Sequence, residues 1–220
     1  MPFQFLHPWQ VTSQEAIAIQ ESLRSQVVRE DRLGAMRTVA GIDVGFEEGG
    51  GITRAAVVVL RYPGLELAET SVIRRPTSFP YIPGLLSYRE APAALEAIDR
   101  LNALPDLLIC DGQGIAHPRR MGLASHLGLW TDIPSIGAAK SRLIGQHEAV
   151  GDARGDWQPL DDAGELIGAA LRTRPGAKPL YISIGHRISL ETAIQMVLAC
   201  TRAYRLPEPT RQAHHLASQG

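Results

Sequence analysis

The strongest constraint on the fold is a succession of strand-like segments near the start of the chain. Thr38–Gly45 and Ile52–Tyr62 are rich in valine and isoleucine, and Leu65–Arg74 follows after a second turn, so three successive antiparallel strands are predicted. A helical pattern over Leu86–Leu104 ends at a proline, directly before the apolar run Leu107–Cys110. A helix and a strand that follow such strands indicate an α/β fold, in which helices flank a central mixed sheet.

The rest of the chain continues this alternation. We predict further helices over residues 12–30, 119–129 and 190–204, with Ser13 capping the first, and further strands near residues 135–137, 165–172 and 180–184. The stretch 150–164 is rich in Asp and Gly and is predicted to be an exposed excursion, and the tail after Pro207 is polar. Because no repeat or domain boundary is evident, residues 1–220 are expected to form one domain.

Charge and cysteine content limit the possible partners and compartments. The chain has 22 Lys and Arg against 23 Asp and Glu, which excludes a globally basic surface for nucleic acid. Binding to a polyanion would require local basic patches or bound cations. Only Cys110 and Cys200 are present, far apart in sequence, so a disulfide framework or thiolate metal site is not expected. Without a signal-like start or a long apolar segment, we expect a cytoplasmic protein that enters no membrane.

Two aspartates occupy positions at which α/β proteins often place their chemistry. Asp43 lies inside an apolar strand, and its alternation places Ile42 and Val44 on the opposite face. Asp111 directly follows the run that ends at Cys110. Burying a carboxylate is costly unless a cation or metal pairs with it, and neither segment contains an adjacent Lys or Arg. Asp111 also has a structural interpretation, since Asp before glycine commonly caps a turn.

A third carboxylate, Glu90, has an equally simple structural interpretation. It is the fourth residue of Ser87-Tyr-Arg-Glu90, which matches a helix capping box. However, it follows Pro80-Tyr-Ile-Pro-Gly84, a stiff loop that a protein core does not require. If Asp43, Glu90 and Asp111 converged, they could hold two hard divalent cations, an arrangement that serves phosphodiester cleavage.

Several longer motifs extend this interpretation over residues 38–214 and, taken in order, resemble the endonuclease V family. The segments that carry the resemblance are Gly41-Ile-Asp-Val-Gly45, Pro80-Tyr-Ile-Pro-Gly-Leu-Leu-Ser-Tyr-Arg-Glu90, Asp111-Gly-Gln-Gly-Ile-Ala-His-Pro-Arg-Arg-Met-Gly-Leu-Ala-Ser-His-Leu-Gly128, Gly137-Ala-Ala-Lys-Ser141, Gly185-His-Arg-Ile-Ser189 and Leu206-Pro-Glu-Pro-Thr-Arg211. The second and third segments are highly specific, whereas Gly-Ile-Asp-x-Gly alone is weak.

The resemblance implies a ribonuclease-H-like fold and a Mg²⁺-dependent endonuclease, with Mn²⁺ able to substitute. The family recognises deoxyinosine in DNA and cleaves the second phosphodiester 3′ to it, which leaves 3′-hydroxyl and 5′-phosphate ends and begins repair. Carried over by motif, Asp43, Glu90 and Asp111 are the catalytic metal carboxylates and Lys140 is the active-site lysine. His214 is implied as a further metal ligand.

The resemblance also implies a substrate site. Tyr81, within the Pro80–Pro83 wedge, would fill the gap left when the deaminated nucleotide leaves the stack. Hypoxanthine has a carbonyl at C6 and a protonated N1, which main-chain groups can read. The implied substrate-binding residues are Pro80, Tyr81, Ile82, Pro83, Gly84, Leu85, Leu86, Gly112, His117 and Gly122. For Gly122, turn geometry and packing are an equally good explanation.

Other functions stay open from sequence. The substrate could be inosine in RNA, and a metal-free module that binds damaged nucleic acid would keep Tyr81 while using the carboxylates in turns. An actin-like ATPase shares the strand-end Gly-Ile-Asp-x-Gly pattern but needs more chain than 220 residues. We expect a monomer.

Other candidates for nucleic-acid contacts are Arg119, Arg120, Arg142 and Arg187. His126 is expected to be structural, and His186 is expected to cap the helix predicted over residues 190–204.

Overall fold

A single mixed sheet organises the chain in the computed structural model, which describes residues 3–218. Its strands are β1 (Thr38–Glu47), β2 (Ile52–Arg61), β3 (Leu67–Pro76), β4 (Leu108–Cys110), β5 (Ser135–Ala139), β6 (Trp157–Asp162), β7 (Glu165–Leu171) and β8 (Leu180–His186). Their order across the sheet is β3-β2-β1-β4-β5-β8-β7-β6. Strands β1, β2 and β3 are antiparallel, whereas β4 and β5 continue the sheet parallel to β1. The expected ribonuclease-H-like α/β class, with three antiparallel N-terminal strands, is confirmed.

Helices cover both faces of the sheet. They are α1 (Ser13–Leu23), α2 (Leu86–Asp99), α3 (Leu123–Thr131), α4 (Leu190–Ala199) and α5 (Glu208–Ser218). One apolar cluster joins Ile42 to side chains of α2 and α3, and a second joins Val39 to side chains of α4 and α5. Burial on both faces explains why β1 and β4 are almost continuously apolar. No helix in the part of the chain described is long and apolar enough to cross a membrane.

Helix boundaries differ from the predicted ones mainly at caps. Thr12, not Ser13, is the N-cap of α1, because its hydroxyl accepts from the Glu15 N–H while the Glu15 carboxylate accepts from the Thr12 N–H. Helix α3 starts at Leu123, four residues later than predicted. Before it the chain turns through Arg120, whose φ of +58° is incompatible with a continuing helix.

One prediction about the second half of the chain is wrong, and one helix there was not predicted. Residues 150–164 are not merely an exposed excursion, because β6 pairs there with β7 at the edge of the sheet. The tail after Pro207 contains α5, which packs against β1 and β2. The buried side of α5 consists of small residues such as Ala213 and Ala217, so a search for large apolar side chains does not detect this helix.

Candidate active site

Two glycines let the last helix lie directly on the central strand. Gly41 and Gly45 flank Asp43 along β1, so all three residues face the same side of the sheet. A Cβ atom at Gly41 would lie 2.0 Å from the carbonyl carbon of Pro209, and one at Gly45 would lie 2.8 Å from the carbonyl oxygen of Ala217. Both contacts are with α5. The glycines of the Gly-Ile-Asp-Val-Gly motif therefore permit a close approach of this helix to Asp43.

This approach brings His214 of α5 to the Asp43 carboxylate. His214 Nδ1 lies 2.7 Å from Asp43 Oδ2, and the histidine side chain keeps 47% of its surface exposed whereas that of Asp43 keeps 11%. Burial raises the pKa of Asp43, and the negative charge of Asp111 raises it further. The hydrogen bond from His214 and the charge of Lys140 act in the opposite direction.

Asp111 and Lys140 follow the carboxyl ends of the neighbouring parallel strands β4 and β5. The Asp111 N–H donates to the carbonyl oxygen of Ile42 over 2.9 Å, which holds Asp111 beside the strand that carries Asp43. Lys140 Nζ lies 2.5 Å from Asp111 Oδ2 and 3.3 Å from His214 Nδ1. The cation that neither carboxylate segment contains is thus supplied by the next strand of the sheet.

The capping-box interpretation of Glu90 is wrong. Helix α2 begins at Leu86 with Leu85 as its N-cap, so Ser87 lies inside the helix and makes no cap hydrogen bond. Its hydroxyl lies instead 3.1 Å from His126 Nδ1 on α3. Glu90 is therefore free of a capping role, although it is buried one turn into the helix.

Burial and neighbouring charges keep Glu90 from ionising easily. Desolvation raises the pKa of Glu90 to about 8, and the negative charges of Asp43 and Asp111 contribute to this increase. The three carboxyl groups named by sequence therefore converge closely enough to affect one another. A divalent cation would relieve the repulsion that raises the pKa values of Asp43 and Glu90.

The donor set fits such a cation. Asp43, Asp111 and His214 each offer one ligand atom, and these atoms all lie within 4.8 Å of one another. Carboxylate oxygens with one imidazole nitrogen suit Mg²⁺ or Mn²⁺ better than a soft metal. Glu90 lies outside this group as the described residues are arranged, and its role as a metal ligand stays a prediction.

A cavity of about 380 Å³ opens beside the acidic cluster. Eight of the ten predicted substrate residues line it, namely Tyr81, Ile82, Pro83, Gly84, Leu86, Gly112, His117 and Gly122, together with Glu90, Asp111 and Lys140. Pro80 and Leu85 are not among its lining residues, and Leu85 is buried against Phe79 and Tyr88. Tyr81 is 69% exposed at the cavity rim, as a residue that enters a base stack must be.

Main-chain groups around the cavity are already used to hold its loops together. The carbonyl oxygen of Gly84 accepts hydrogen bonds from His117, Arg119 and Gln20. The Gly122 N–H donates to Gly114. A Cβ at Gly122 would lie 2.3 Å from the carbonyl oxygen of Gln113, so close loop packing requires this glycine.

Side chains that the sequence did not single out also line the cavity. Gln113 lies between two glycines of the Asp-Gly-Gln-Gly motif, and its Oε1 atom is buried without a hydrogen-bond partner among residues 3–218. Ser87 also lines the cavity, but its apparent place in a capping box concealed it. In each case the sequence places the residue in a motif but does not indicate that its side chain lines the cavity.

Most of the arginine and histidine candidates make contacts within the protein, whereas Arg142 is exposed at the cavity. Arg120 forms ion pairs with Asp162 and Glu165, and Arg187 forms one with Asp132, so both guanidinium groups are engaged within the protein. His186 does not cap α4, a role taken by Ser189. His126 is buried and hydrogen-bonded, as expected of a structural residue. Arg142 lines the cavity and is exposed.

Comparison with known proteins agrees with this geometry. The family model described as Endonuclease V matches residues 21–215. An Endonuclease V of Trichormus variabilis is 60% identical over 213 residues, which cover 96% of each chain. The crystal structure of Endonuclease V from Streptomyces avermitilis has a TM-score of 0.90 and 42% identity and covers 95% of this chain and 92% of its own.

A third relative contains nucleic acid. Endonuclease V of Ciona intestinalis, solved with a 23mer DNA containing an inosine followed by a ribo-adenosine, has a TM-score of 0.82 and 28% identity. It covers 94% of this chain and 97% of its own. On the strength of the family match and these full-length relatives, the chain belongs to the endonuclease V family of nucleases.

Proposed function

We propose that this nuclease is a Mg²⁺-dependent DNA repair enzyme that recognises deoxyinosine. It hydrolyses the second phosphodiester 3′ to the lesion and leaves 3′-hydroxyl and 5′-phosphate ends. The observation that carries the proposal is the convergence of Asp43, Asp111 and His214 beside a cavity with an exposed aromatic rim. We propose that it acts as a monomer. The Ciona relative, bound to inosine-containing DNA, supports the substrate.

The chemistry follows from the charges of the site. Asp43, Asp111 and His214 would hold the divalent cation, with Glu90 adding negative charge from α2. When bound, the cation would offset charge on the scissile phosphate and favour its in-line hydrolysis. Lys140 is placed to neutralise developing charge on the phosphate, because its ammonium group lies at the edge of the cavity as well as beside Asp111.

Recognition is assigned to the cavity. Tyr81 stands at its rim and would occupy the stack in place of the extruded nucleotide, which offsets an unstacking cost of a few kcal/mol. The cavity volume of about 380 Å³ is sufficient for one base. Damage would therefore be read in the cavity, while the phosphate is cut at the carboxylates and Lys140 on its wall.

The test is cleavage of a labelled oligonucleotide with a single deoxyinosine. We expect wild-type protein to nick at the second phosphodiester 3′ to the lesion with Mg²⁺ and not with a chelator. Asp43→Asn should lose this activity while retaining its fold by circular dichroism. Robust nicking by Asp43→Asn would reject the metal assignment, and binding without nicking by wild type would indicate a non-catalytic damage-binding module.

A second candidate is cleavage of inosine-containing RNA. The ribo-adenosine after inosine in the Ciona complex favours testing it. The same oligonucleotide with ribose at the two nucleotides 3′ to inosine, compared with the all-deoxy strand, separates the candidates. If kcat/KM is more than about tenfold higher for the ribose-containing strand, RNA is the better substrate.

A further inference from the structure

A chain of buried and partly buried hydrogen bonds runs from the N-terminal segment to the cavity wall. His7 Nδ1 lies 2.8 Å from the carbonyl oxygen of Pro8, and His7 Nε2 lies 2.6 Å from His126 Nε2. His126 Nδ1 lies 3.1 Å from the hydroxyl oxygen of Ser87. Ser87, in turn, lines the cavity. The chain thus connects a segment far from the acidic cluster to the place where a base would bind.

The direction of every hydrogen bond in this chain follows from its first member. The carbonyl oxygen of Pro8 can only accept, so His7 carries its proton on Nδ1 and is left with an accepting Nε2. His126 must then donate from Nε2, which leaves its Nδ1 as an acceptor. The hydroxyl of Ser87 is therefore the donor to His126.

Both histidines must be neutral for this order to hold, and their surroundings favour that state. His7 is surrounded by Trp9, Tyr88 and Trp130, and the Trp130 indole N–H also points to His7 Nε2, at 3.4 Å. Burial lowers the pKa of His7, and burial followed by the charges of His7 and His117 lowers the pKa of His126 well below its ordinary value.

The consequence lies at the cavity wall. Because its only proton is directed to His126, Ser87 can offer the cavity lone pairs and no donor. Hypoxanthine carries a proton on N1, whereas N1 of adenine has a lone pair. An acceptor at this position would form a hydrogen bond with hypoxanthine and repel adenine.

We propose that the His7–His126 pair fixes the Ser87 hydroxyl as an acceptor that reads the protonated N1 of the extruded base. This inference rests on the proposed function and adds a specificity residue, Ser87, with two positioning residues behind it. His7 and His126 act only through Ser87, because neither of them lines the cavity.

The tautomers are testable on wild-type protein without any substrate. Long-range ¹H–¹⁵N spectra at pH 7 should show His7 protonated at Nδ1 alone and His126 protonated at Nε2 alone. A Nδ1-protonated His126, or an imidazolium at either position, would overturn the proposed polarity whatever the enzyme cleaves.

The effect on specificity is tested with strands that contain inosine or unsubstituted purine, whose N1 is an acceptor. Ser87→Ala should lower kcat/KM for inosine about five- to tenfold and raise it slightly for purine, because the repulsion between two acceptors is removed. His126→Phe should lower the inosine-to-purine ratio in the same direction, because the released hydroxyl can donate to N1. In the double variant the ratio should equal that of Ser87→Ala alone, since the histidine acts through the serine.

A matched control is Ser125→Ala. Ser125 is fully buried on α3, and its hydroxyl has no hydrogen-bond partner among the described residues, so the ratio should not change. An unchanged ratio in Ser87→Ala, or additive effects in the double variant, would reject the inference while normal nicking of inosine upholds the proposed function. A wild-type protein that leaves the inosine strand intact would instead reject the proposed function.

Discussion

His214 Nδ1 lies 2.7 Å from Oδ2 of Asp43, although the two residues lie 171 positions apart in sequence. The contact ties the last helix of the described chain to the central strand. A histidine from the end of the chain thereby completes an acidic site that begins in the first strand. Helix α5 is therefore part of the candidate active site and not a peripheral addition.

Removing this histidine should weaken the metal site without unfolding the protein. His214→Ala should raise the Mg²⁺ concentration needed for half-maximal nicking by about tenfold or more, because one ligand is lost. A Mg²⁺ titration of initial rates measures the shift. His215→Ala on the same helix is the control, because His215 lies outside the three-residue cluster. Equal Mg²⁺ requirements for the two variants would exclude His214 as a ligand.

The glycines beneath α5 should be sensitive to a single methyl group. Gly41→Ala places its Cβ 2.0 Å from the backbone of Pro209, and a backbone cannot move aside as a side chain can. We expect a loss of about 1–3 kcal/mol in the free energy of unfolding, together with lower activity, because α5 is displaced. Gly34→Ala is the control, since a Cβ there meets nothing within 4 Å. Urea unfolding measures the stability of the two variants, and equal stability would contradict the close approach of α5 to β1.

Asp43 and the glycines beside it show where sequence reasoning succeeds and where it fails. The motif predicted Asp43 as a functional carboxylate, because burial of a charge on an apolar strand needs a reason. The same motif gave no indication that its glycines accommodate a helix, since the partner surface consists of alanines and main chain. Local periodicity detects large apolar side chains, and α5 buries hardly any.

Glu90 illustrates the opposite error. Its spacing from Ser87 matches a capping box, but the helix starts at Leu86, so Ser87 is not the N-cap. Tertiary contacts decide the positions of both side chains: Ser87 turns to His126, and Glu90 is buried near Asp43 and Asp111. Only long-range packing distinguishes a cap from a site residue here, and sequence spacing does not contain it.

The exposed ring of Tyr81 should contribute to lesion selectivity more than to hydrolysis. Tyr81→Ala should reduce the preference for inosine-containing over undamaged duplex by about tenfold, because base–aromatic stacking is worth about 1–3 kcal/mol. Binding affinities for the two duplexes, measured with Ca²⁺ in place of Mg²⁺, report this preference. Trp157→Ala, an exposed aromatic on edge strand β6 outside the cavity, should leave it unchanged. Unchanged discrimination by Tyr81→Ala would argue against the wedge.

Glu90→Gln should raise the free energy of unfolding of the metal-free protein and abolish nicking. Burial opposes ionisation of the Glu90 carboxyl group and the negative charges of Asp43 and Asp111 add to this effect, so a neutral amide of the same size removes both costs from the metal-free protein. In the presence of a chelator we expect the free energy of unfolding to rise by about 0.5–2 kcal/mol. Stabilisation by Mg²⁺ should become smaller, and nicking should be lost. Glu96→Gln on the same helix, at a partly exposed position, is the control; an unstable Glu90→Gln protein would contradict the repulsion.

Acid should destabilise the fold partly through His117. Burial, followed by the charge of Arg119, lowers the pKa of His117 to about 4 from an ordinary value of 6.5. The unfolded chain therefore binds a proton that the folded protein refuses, and the stabilising contribution is complete above pH 6.5 and is lost as the pH falls towards 4. One such group accounts for up to about 3 kcal/mol.

His117→Gln should show a shallower decrease in unfolding free energy between pH 6.5 and 4 than wild type, and a comparison at pH 8 separates lost packing from titration. His7, His126 and His186, whose pKa values burial also lowers, add to the remaining slope, whereas Asp43 and Glu90, whose pKa values burial raises, act in the opposite direction. Parallel curves for the variant and wild type would show that His117 already carries its proton in the folded protein.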